Sequence, residues 1–278
     1  MLISIITPSF RNSDWLKLCI ASVADQQGVE FEHIVQDSCS DDGTQDWLPQ
    51  DTRVTAYIEK DEGMYDAVNR GFKHSKGEIL AYLNCDEQYL PGALKAVHDF
   101  FEANPDVDVV LPDTVVTNPQ GEYICHRHSL VPLSHHLWLR FNVTTCSLFI
   151  RRRVIDDMNL YFDTKWRDLG DVFWIIEAVR RKVRFATLRT FTSAFTETGD
   201  NMNLKPNALR EKEIKREMTP SWVKLMSRFI ILHHRLRMLA SGNFTQSPFS
   251  YSVYTLTDSK QRKTFDVSRP TGLWHGRF

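Results

Sequence analysis

The sequence predicts an α/β fold, a mostly parallel sheet flanked by helices, and two observations carry that reading. From the start to about residue 112, short β-branched runs alternate with longer helical stretches, the signature of βαβ units. One run, Ile79-Leu80-Ala81-Tyr82-Leu83, stops abruptly on Asn84-Cys85-Asp86-Glu87. So short an apolar run suits a fully buried strand, and ligands of open α/β sheets sit beyond the carboxyl ends of the strands. Acids placed there face the ligand crevice, where two of them can hold a hard divalent cation that neutralises a diphosphate. Acids also begin the turn or helix after a strand, so the segment alone leaves both readings open.

Strands are expected at 2–7, 32–37, 53–58, 78–84 and 107–111. Between the first two, Trp15, Leu18, Cys19 and Val23 recur at the spacing that lays one helix face on a sheet over Ser13 to Gln26. Asp41 to Leu48 and Gly63 to His74 read as further helices, and Pro91 to Ala103 as one with proline in its first turn. The segment 113–165 breaks the alternation with Pro112, Pro119-Gln-Gly121 and Pro132, and Asn118 to Gly121 reads as a turn between short strands. Asp168 to Arg181 opens on acids and closes on bases, as a helix macrodipole favours, and a strand follows near 183–188. Beyond Pro206 the chain reads as helical. Trp222 to Ser241 carries Lys224, Arg228, Arg235 and Arg237 without Asp or Glu, beside an apolar stripe of Leu225, Phe229, Leu232, Leu236 and Leu239. That pattern suits either a core helix whose bases are solvated or peripheral contact with anionic membrane through 222–241. The expected division is a domain over 1–205, made of a nucleotide-binding half (1–112) and an acceptor-side half (113–205), and a helical, aromatic extension over 206–278.

Composition narrows the function classes. A formal charge of -1 over 278 residues, with 25% charged residues, argues against a chain that coats nucleic acid. Five cysteines without C-x-x-C spacing support neither a disulfide framework nor a zinc site, and a reducing cytoplasm fits. The N-terminus lacks the charged start and long apolar core of a signal peptide, and no run reaches a membrane span. His126, His128, His135 and His136 lack a convergent pattern and read as surface or packed residues. The first strand leads into Thr7-Pro8-Ser9-Phe10-Arg11, not a G-x-G-x-x-G turn, which disfavours a dinucleotide-dependent oxidoreductase.

Taken together, "SIITPSF", "HIVQDSCSDDGT", "EKDEGMYDAVNRGFKHSKGEILAYLNCDE" and "GDVFWIIEAVRRK", in that order across residues 1 to about 200, resemble the family 2 glycosyltransferases. The resemblance implies a GT-A fold (a Rossmann-like nucleotide-diphospho-sugar transferase), a divalent cation, Mg2+ or Mn2+, and an inverting displacement at the sugar's anomeric carbon. It places Pro8, Ser9 and Phe10 along the nucleotide pocket, where an aromatic ring can lie near a base. Asp37 matches an acid that accepts hydrogen bonds from the base. A carboxylate suits the imide N–H of uracil, so a UDP-sugar is the preferred donor. Asp61, Gly63 and Asn69 match the segment between the third and fourth strands, with Asp61 facing the nucleotide and Gly63 allowing close backbone approach. Where the family shows two or three acids this chain has Asn84-Cys85-Asp86-Glu87. The metal-ligand role is therefore carried to Asp86 alone, Asn84 and Cys85 fall to the nucleotide-sugar, and Glu87 supports or joins the metal. Asp171 matches the family's general base, with Asp168 as its rival. Thr196 to Asn203 matches a polar loop near the diphosphate.

The expectation is a cytoplasmic transferase, peripheral on the inner face of the plasma membrane. It would move a sugar from a nucleotide-diphospho-sugar donor to a saccharide or glycolipid acceptor in bacterial surface polysaccharide or glycolipid assembly. The rival is a catalytically weak nucleotide-sugar-binding or scaffold protein of a membrane-associated assembly complex.

Overall fold

The computed structural model describes residues 1–141, 143–199 and 206–274. Every residue of β1 (Ile3–Ser9) and β4 (Ile79–Tyr82) is buried, because helices cover both faces of the sheet they share. The period of two sorts their side chains. Ile6, Leu80 and Tyr82 join a core with Val68, Phe72, Trp174 and Ile175, while Ile3, Ile5, Ile79 and Ala81 join another with Cys19, Val23, Leu94, Val97 and Phe101.

The chain runs β1, α1 (Ser13–Ala24), β2 (Phe31–Asp37), α2 (Thr44–Trp47) with a 3-10 turn (Leu48–Gln50), β3 (Thr55–Ile58), α3 (Met64–His74) and β4. Then come β5 (Glu87–Tyr89), α4 (Ala93–Ala103), β6 (Val109–Thr117), β7 (Tyr123–Arg127), α5 (Ser134–Leu139) and a 3-10 turn (Thr145–Ser147). They are followed by β8 (Phe149–Arg151), α6 (Arg152–Ile155), α7 (Gly170–Arg180), β9 (Phe185–Thr196), α8 (Pro206–Met218), α9 (Ser221–Leu225), α10 (Ser227–Ala240), β10 (Phe249–Thr255) and β11 (Asp258–Val267).

Among the described residues the main sheet has the order β3-β2-β1-β4-β8-β6-β9-β5, with β7 on β6. Strands β3, β2, β1 and β4 pair in parallel. Because β8 is antiparallel to both β4 and β6, and β9 is parallel to β6, the strands β1, β2, β3, β4, β6 and β9 all point one way. The sheet is thus mostly parallel, as expected.

The structure differs from the sequence reading in extent more than in kind. β1 continues through Pro8 to Ser9. β6 runs through Pro112 to Thr117, and its register to β9 shifts on both sides of Asp113, the kind of irregularity that lets a strand accommodate proline. Strands β5 and β8 are three residues each, too short to show a period. The 222–241 helix is two, broken at Met226. The aromatic end of the extension forms a β10–β11 hairpin, whose Tyr251, Val253 and Val267 pack with Leu90, Val115 and Ala194 of the main body.

Candidate functional site

Parallel register brings the carboxyl ends of β1 and β2 level: Ser9 pairs with Asp37, and Asp37 with Ile58 of β3. Ser38 N–H donates to the Ser9 carbonyl (2.9 Å), and Asp61 N–H to Ser38 Oγ (3.3 Å), so Ser9, Asp37 and Asp61 share one rim. Asp37 is fully buried and accepts from Ser40, N–H to Oδ2 (2.8 Å) and Oγ–H to Oδ1 (2.6 Å). Ser40 Oγ in turn accepts from Arg11 N–H (2.8 Å), which fastens the ends of β1 and β2 together. Phe10 stands 55% exposed at this rim, with the Arg11 guanidinium 4.9 Å from its ring centre. The segment after Ser40 is a turn held by Asp42, which accepts from Thr44 N–H and Oγ–H and from Ser13 N–H.

Asp61 accepts from Gly63 N–H (2.9 Å), and burial raises its pKa. Gly63 has φ +131°, which an L-residue rarely adopts, and a Cβ there would meet nothing within 4 Å, so its backbone borders open space. Asn69 turns elsewhere: its Nδ2 donates to the Phe162 carbonyl (2.8 Å) and its Oδ1 accepts from Phe162 N–H (3.0 Å), a clamp between α3 and the chain leading to α7. Asp66 pairs with Arg70 one turn on (2.8 Å).

Beyond β4, Leu83 N–H still donates to Ile6 O, and Glu87 N–H closes a turn onto Asn84 O (3.0 Å), which presents Cys85 and Asp86 at its tip. Glu87 points inward. Its carboxylate accepts from Asn84 N–H (2.9 Å) and from Thr145 Oγ–H, while Asn84 Nδ2 donates to Thr145 Oγ1 (3.3 Å). Burial, with Asp86 beside it, pushes the Glu87 pKa up. Burial also raises that of Asp86, whose carboxylate has no partner among the described residues except its own backbone N–H. Cys85 packs on Leu16 and Ile20 and accepts from Asn12 Nδ2 (3.2 Å). Its thiol is pushed well up by burial, so it is a packing group and not a thiolate. Ser9 Oγ and Asn84 Oδ1 are buried and unpaired among the described residues. The Asp86 carboxylate and two orphaned polar oxygens, one at the end of β1 and one on the loop after β4, are thus left without the partners that buried polar groups ordinarily have.

Asp171 comes to this region through a close approach. A Cβ on Gly170 would lie 2.5 Å from the Tyr65 ring, so only glycine lets α7 start against α3. The Tyr65 hydroxyl then donates to Asp171 Oδ1 (3.1 Å), which also accepts from Val172 N–H (2.8 Å). Burial pushes the Asp171 carboxyl up to about 6, against those two bonds. Asp171 also helps to raise the pKa of Tyr82, the last residue of β4, after burial and Tyr65. Asp168 is engaged differently, accepting from Asn207 Nδ2 (2.6 Å). The buried carboxylate of Glu211 on α8 accepts from the N–H groups of Arg167 (2.8 Å), Asp168 (3.1 Å) and Leu169 (2.8 Å), capping the approach to α7. Neither Glu211 nor Thr145 carries a local sequence signal, since each acts on residues far away in the chain. Of the polar loop, Thr196 to Gly199 are described, with Glu197 N–H on Thr117 O (2.8 Å), while Asp200 to Asn203 lie outside the described residues.

A histidine trio, His135, His136 and His233, places ligand atoms within 4.8 Å of one another. His136 Nδ1 accepts from Arg237 (3.2 Å), and burial, then Arg127, Arg237 and Arg140, depress the pKa of neighbouring His234, so the surroundings are cationic and disfavour a metal ion. His126 and His128 sit in an aromatic cluster with Phe191, and His128 Nδ1 pairs with buried Asp113 (2.6 Å).

Residues 4–158 match the model of glycosyl transferase family 2. The chain is 34% identical over 104 residues to the teichuronic acid biosynthesis glycosyltransferase TuaG of Bacillus subtilis, covering 36% of this chain and 41% of that protein. It is 28% identical over 174 residues to a PGL/p-HBAD biosynthesis glycosyltransferase of Mycobacterium tuberculosis, covering 60% and 66%. These matches span between two fifths and two thirds of the relatives' own length. The crystal structure of residues 1–349 of Staphylococcus aureus TarS with UDP-GlcNAc superposes with a TM-score of 0.59 at 19% identity, over 74% of this chain and 61% of that one. The fold is therefore that of the GT-A glycosyltransferases.

Proposed function

The chain belongs to glycosyl transferase family 2, and from that premise we propose that it moves a sugar from a UDP-sugar to a hydroxyl of a saccharide or glycolipid acceptor in bacterial surface-polysaccharide or glycolipid assembly. The observation that carries this reading is Asp86, a desolvated carboxylate left without a protein partner at the carboxyl end of a parallel strand. Oxygen donors of this kind fit Mg2+ or Mn2+, with Asp86 as ligand, Asn84 Oδ1 nearby and Glu87 holding the turn from behind. Such a cation, when bound, neutralises the diphosphate leaving group.

The chain's own residues do the rest. The base lies near Pro8, Ser9 and the exposed Phe10 ring, with Asp37 accepting from the uracil imide once Ser40 yields an oxygen. Asp61 and the open backbone at Gly63 border the nucleotide. Asp171, oriented by Tyr65 O–H, takes the acceptor's hydroxyl proton as that oxygen bonds to the anomeric carbon and the carbon–phosphate-oxygen bond breaks from the opposite face, which inverts the centre. Replacing Asp86 by Ala should leave a folded chain in which Mn2+ no longer augments the thermal stabilisation given by UDP. It should also lower turnover at least about a hundredfold. A variant with wild-type turnover removes the role, and stabilisation by GDP in place of UDP moves the base preference.

Attachment to an anionic membrane surface is part of the same proposal. No helix among the described residues is long and apolar enough to cross a membrane. Yet Trp222, Leu225, Met226, Phe229, Leu232, Leu236 and Leu239 are all exposed along α9 and α10, Leu225 by 83%, beside Lys224, Arg228 and Arg235. Water-facing apolar residues at helical spacing among bases are the composition of an interfacial helix. Phe229→Ser with Leu232→Ser should abolish co-sedimentation with anionic vesicles, and unchanged sedimentation would refute the attachment.

A further inference from the structure

Between α5, α8 and α9 lies an open cleft of about 580 Å3, lined by Trp138, Lys212, Lys215, Arg216, Glu217 and Lys224, among others. Four cations face one carboxylate there. Clustered like charges repel, and the arrangement favours an anion that joins them. Arg216 is engaged by Glu213 (2.8 Å) and Lys224 donates to the Glu217 carbonyl (3.2 Å), while the half-buried Lys215 has no ion-pair partner among the described residues. Burial lowers the Lys215 pKa to about 8, and Asp171 opposes that shift, so its ammonium lies within the field of the base and remains charged at neutral pH.

The position of the cleft is as informative as its charge. Lys215 stands one turn along α8 from Glu211, which holds the backbone of Arg167 to Leu169 just before Asp171, and at the other end Lys224 lies between Trp222 and Leu225, where the exposed stripe begins. We propose that this cleft binds a phosphate group carried by the acceptor, so that the acceptor is a phosphorylated, lipid-borne molecule whose hydroxyl is led to Asp171 while its apolar tail stays with the α9–α10 stripe. The proposal rests on the transferase reading and names the acceptor's chemical class.

The test uses the full chain with phosphatidylcholine vesicles doped with either phosphatidic acid, a phosphomonoester, or phosphatidylglycerol, a phosphodiester, at equal mole fraction. The wild type should bind the phosphatidic acid vesicles about fivefold more tightly or better, the worth of one well-placed basic contact. Lys215→Ala should remove that preference while leaving phosphatidylglycerol binding in place, and Lys215→Arg should keep it. Arg235→Ala, on the exposed side of α10, should weaken both equally. A Lys215→Ala chain that retains the preference, or a wild type that shows none, overturns the cleft and leaves membrane attachment standing. If the wild type binds neither vesicle, attachment fails, and inorganic phosphate decides the cleft: a thermal stabilisation lost in Lys215→Ala assigns a soluble phosphorylated acceptor, and no stabilisation overturns the proposal. Stabilisation by UDP, measured alongside, reports the transferase reading separately and should be the same in Lys215→Ala.

Discussion

Asp171 is a carboxyl whose ionisation is held back by burial, with a pKa near 6. The general base we propose it to be works only when ionised, so turnover should rise with pH through about 6 and level off above it. Asp171→Asn should lose at least about a hundredfold in turnover, together with that acid limb. A second consequence runs the opposite way. An acid whose folded pKa is raised binds more protons in the native than in the unfolded state between roughly pH 4 and 6, so its contribution to stability falls across that window and stays low above it. Asparagine keeps an acceptor for Tyr65 without the charge. Asp171→Asn should match the wild type near pH 4 and exceed it by about 1–3 kcal/mol above pH 6 in chemical denaturation; equal stability at both pH values would contradict the burial argument. Asp86 and Asp171 could be read as candidates from the sequence because each stands where an element begins or ends, next to a recognisable pattern. Asn69 sits in an equally recognisable pattern, yet its amide is engaged by the Phe162 backbone 93 residues away, and no local rule reports such a partner.

α7 shows how an element can be legible while its anchoring is not. Its acidic start and basic end were plain, and the helix runs from Gly170 to Arg180. What holds its entry is Glu211 on a helix some 40 residues later, whose carboxylate accepts the backbone N–H groups of Arg167, Asp168 and Leu169. Glu211→Gln presents one acceptor oxygen and a competing amide donor to those three groups. It should cost about 1–3 kcal/mol in thermal or chemical unfolding, the penalty for buried donors left unpaired. Turnover should fall as well, since Asp171 follows two residues after Leu169, whereas a variant of wild-type stability would show that the cap is dispensable. The short β5 and β8 fell below the length at which alternation is visible, and β6 crosses a proline that composition alone marks as a break. Pairing with neighbours, not propensity, makes these segments strands.

At the scale of the whole molecule, the C-terminal hairpin is fastened to the first helix and to the strand behind the candidate metal turn. Arg262 forms a bidentate pair with Asp25 (2.6 and 2.7 Å) and also reaches the Ser22 carbonyl (3.1 Å). Arg262→Ala should lower stability by about 1–3 kcal/mol, as expected when one partner of a largely buried charged pair is removed, and should raise protease cleavage in the hairpin. The sequence marks this stretch as part of a helical, aromatic extension, but the hairpin packs on a surface provided by Val115 and Leu90, far upstream. Next to Glu87, Gln88 is bound on both sides of its amide by the backbone of Tyr254, Nε2 to the carbonyl and Oε1 from the N–H (both 2.8 Å). Synthesis therefore has an order built into it. The turn that carries Asp86 leaves the ribosome more than 160 residues before the segment that braces it, so a nascent chain stalled before β10 carries every acid of the turn with this brace missing.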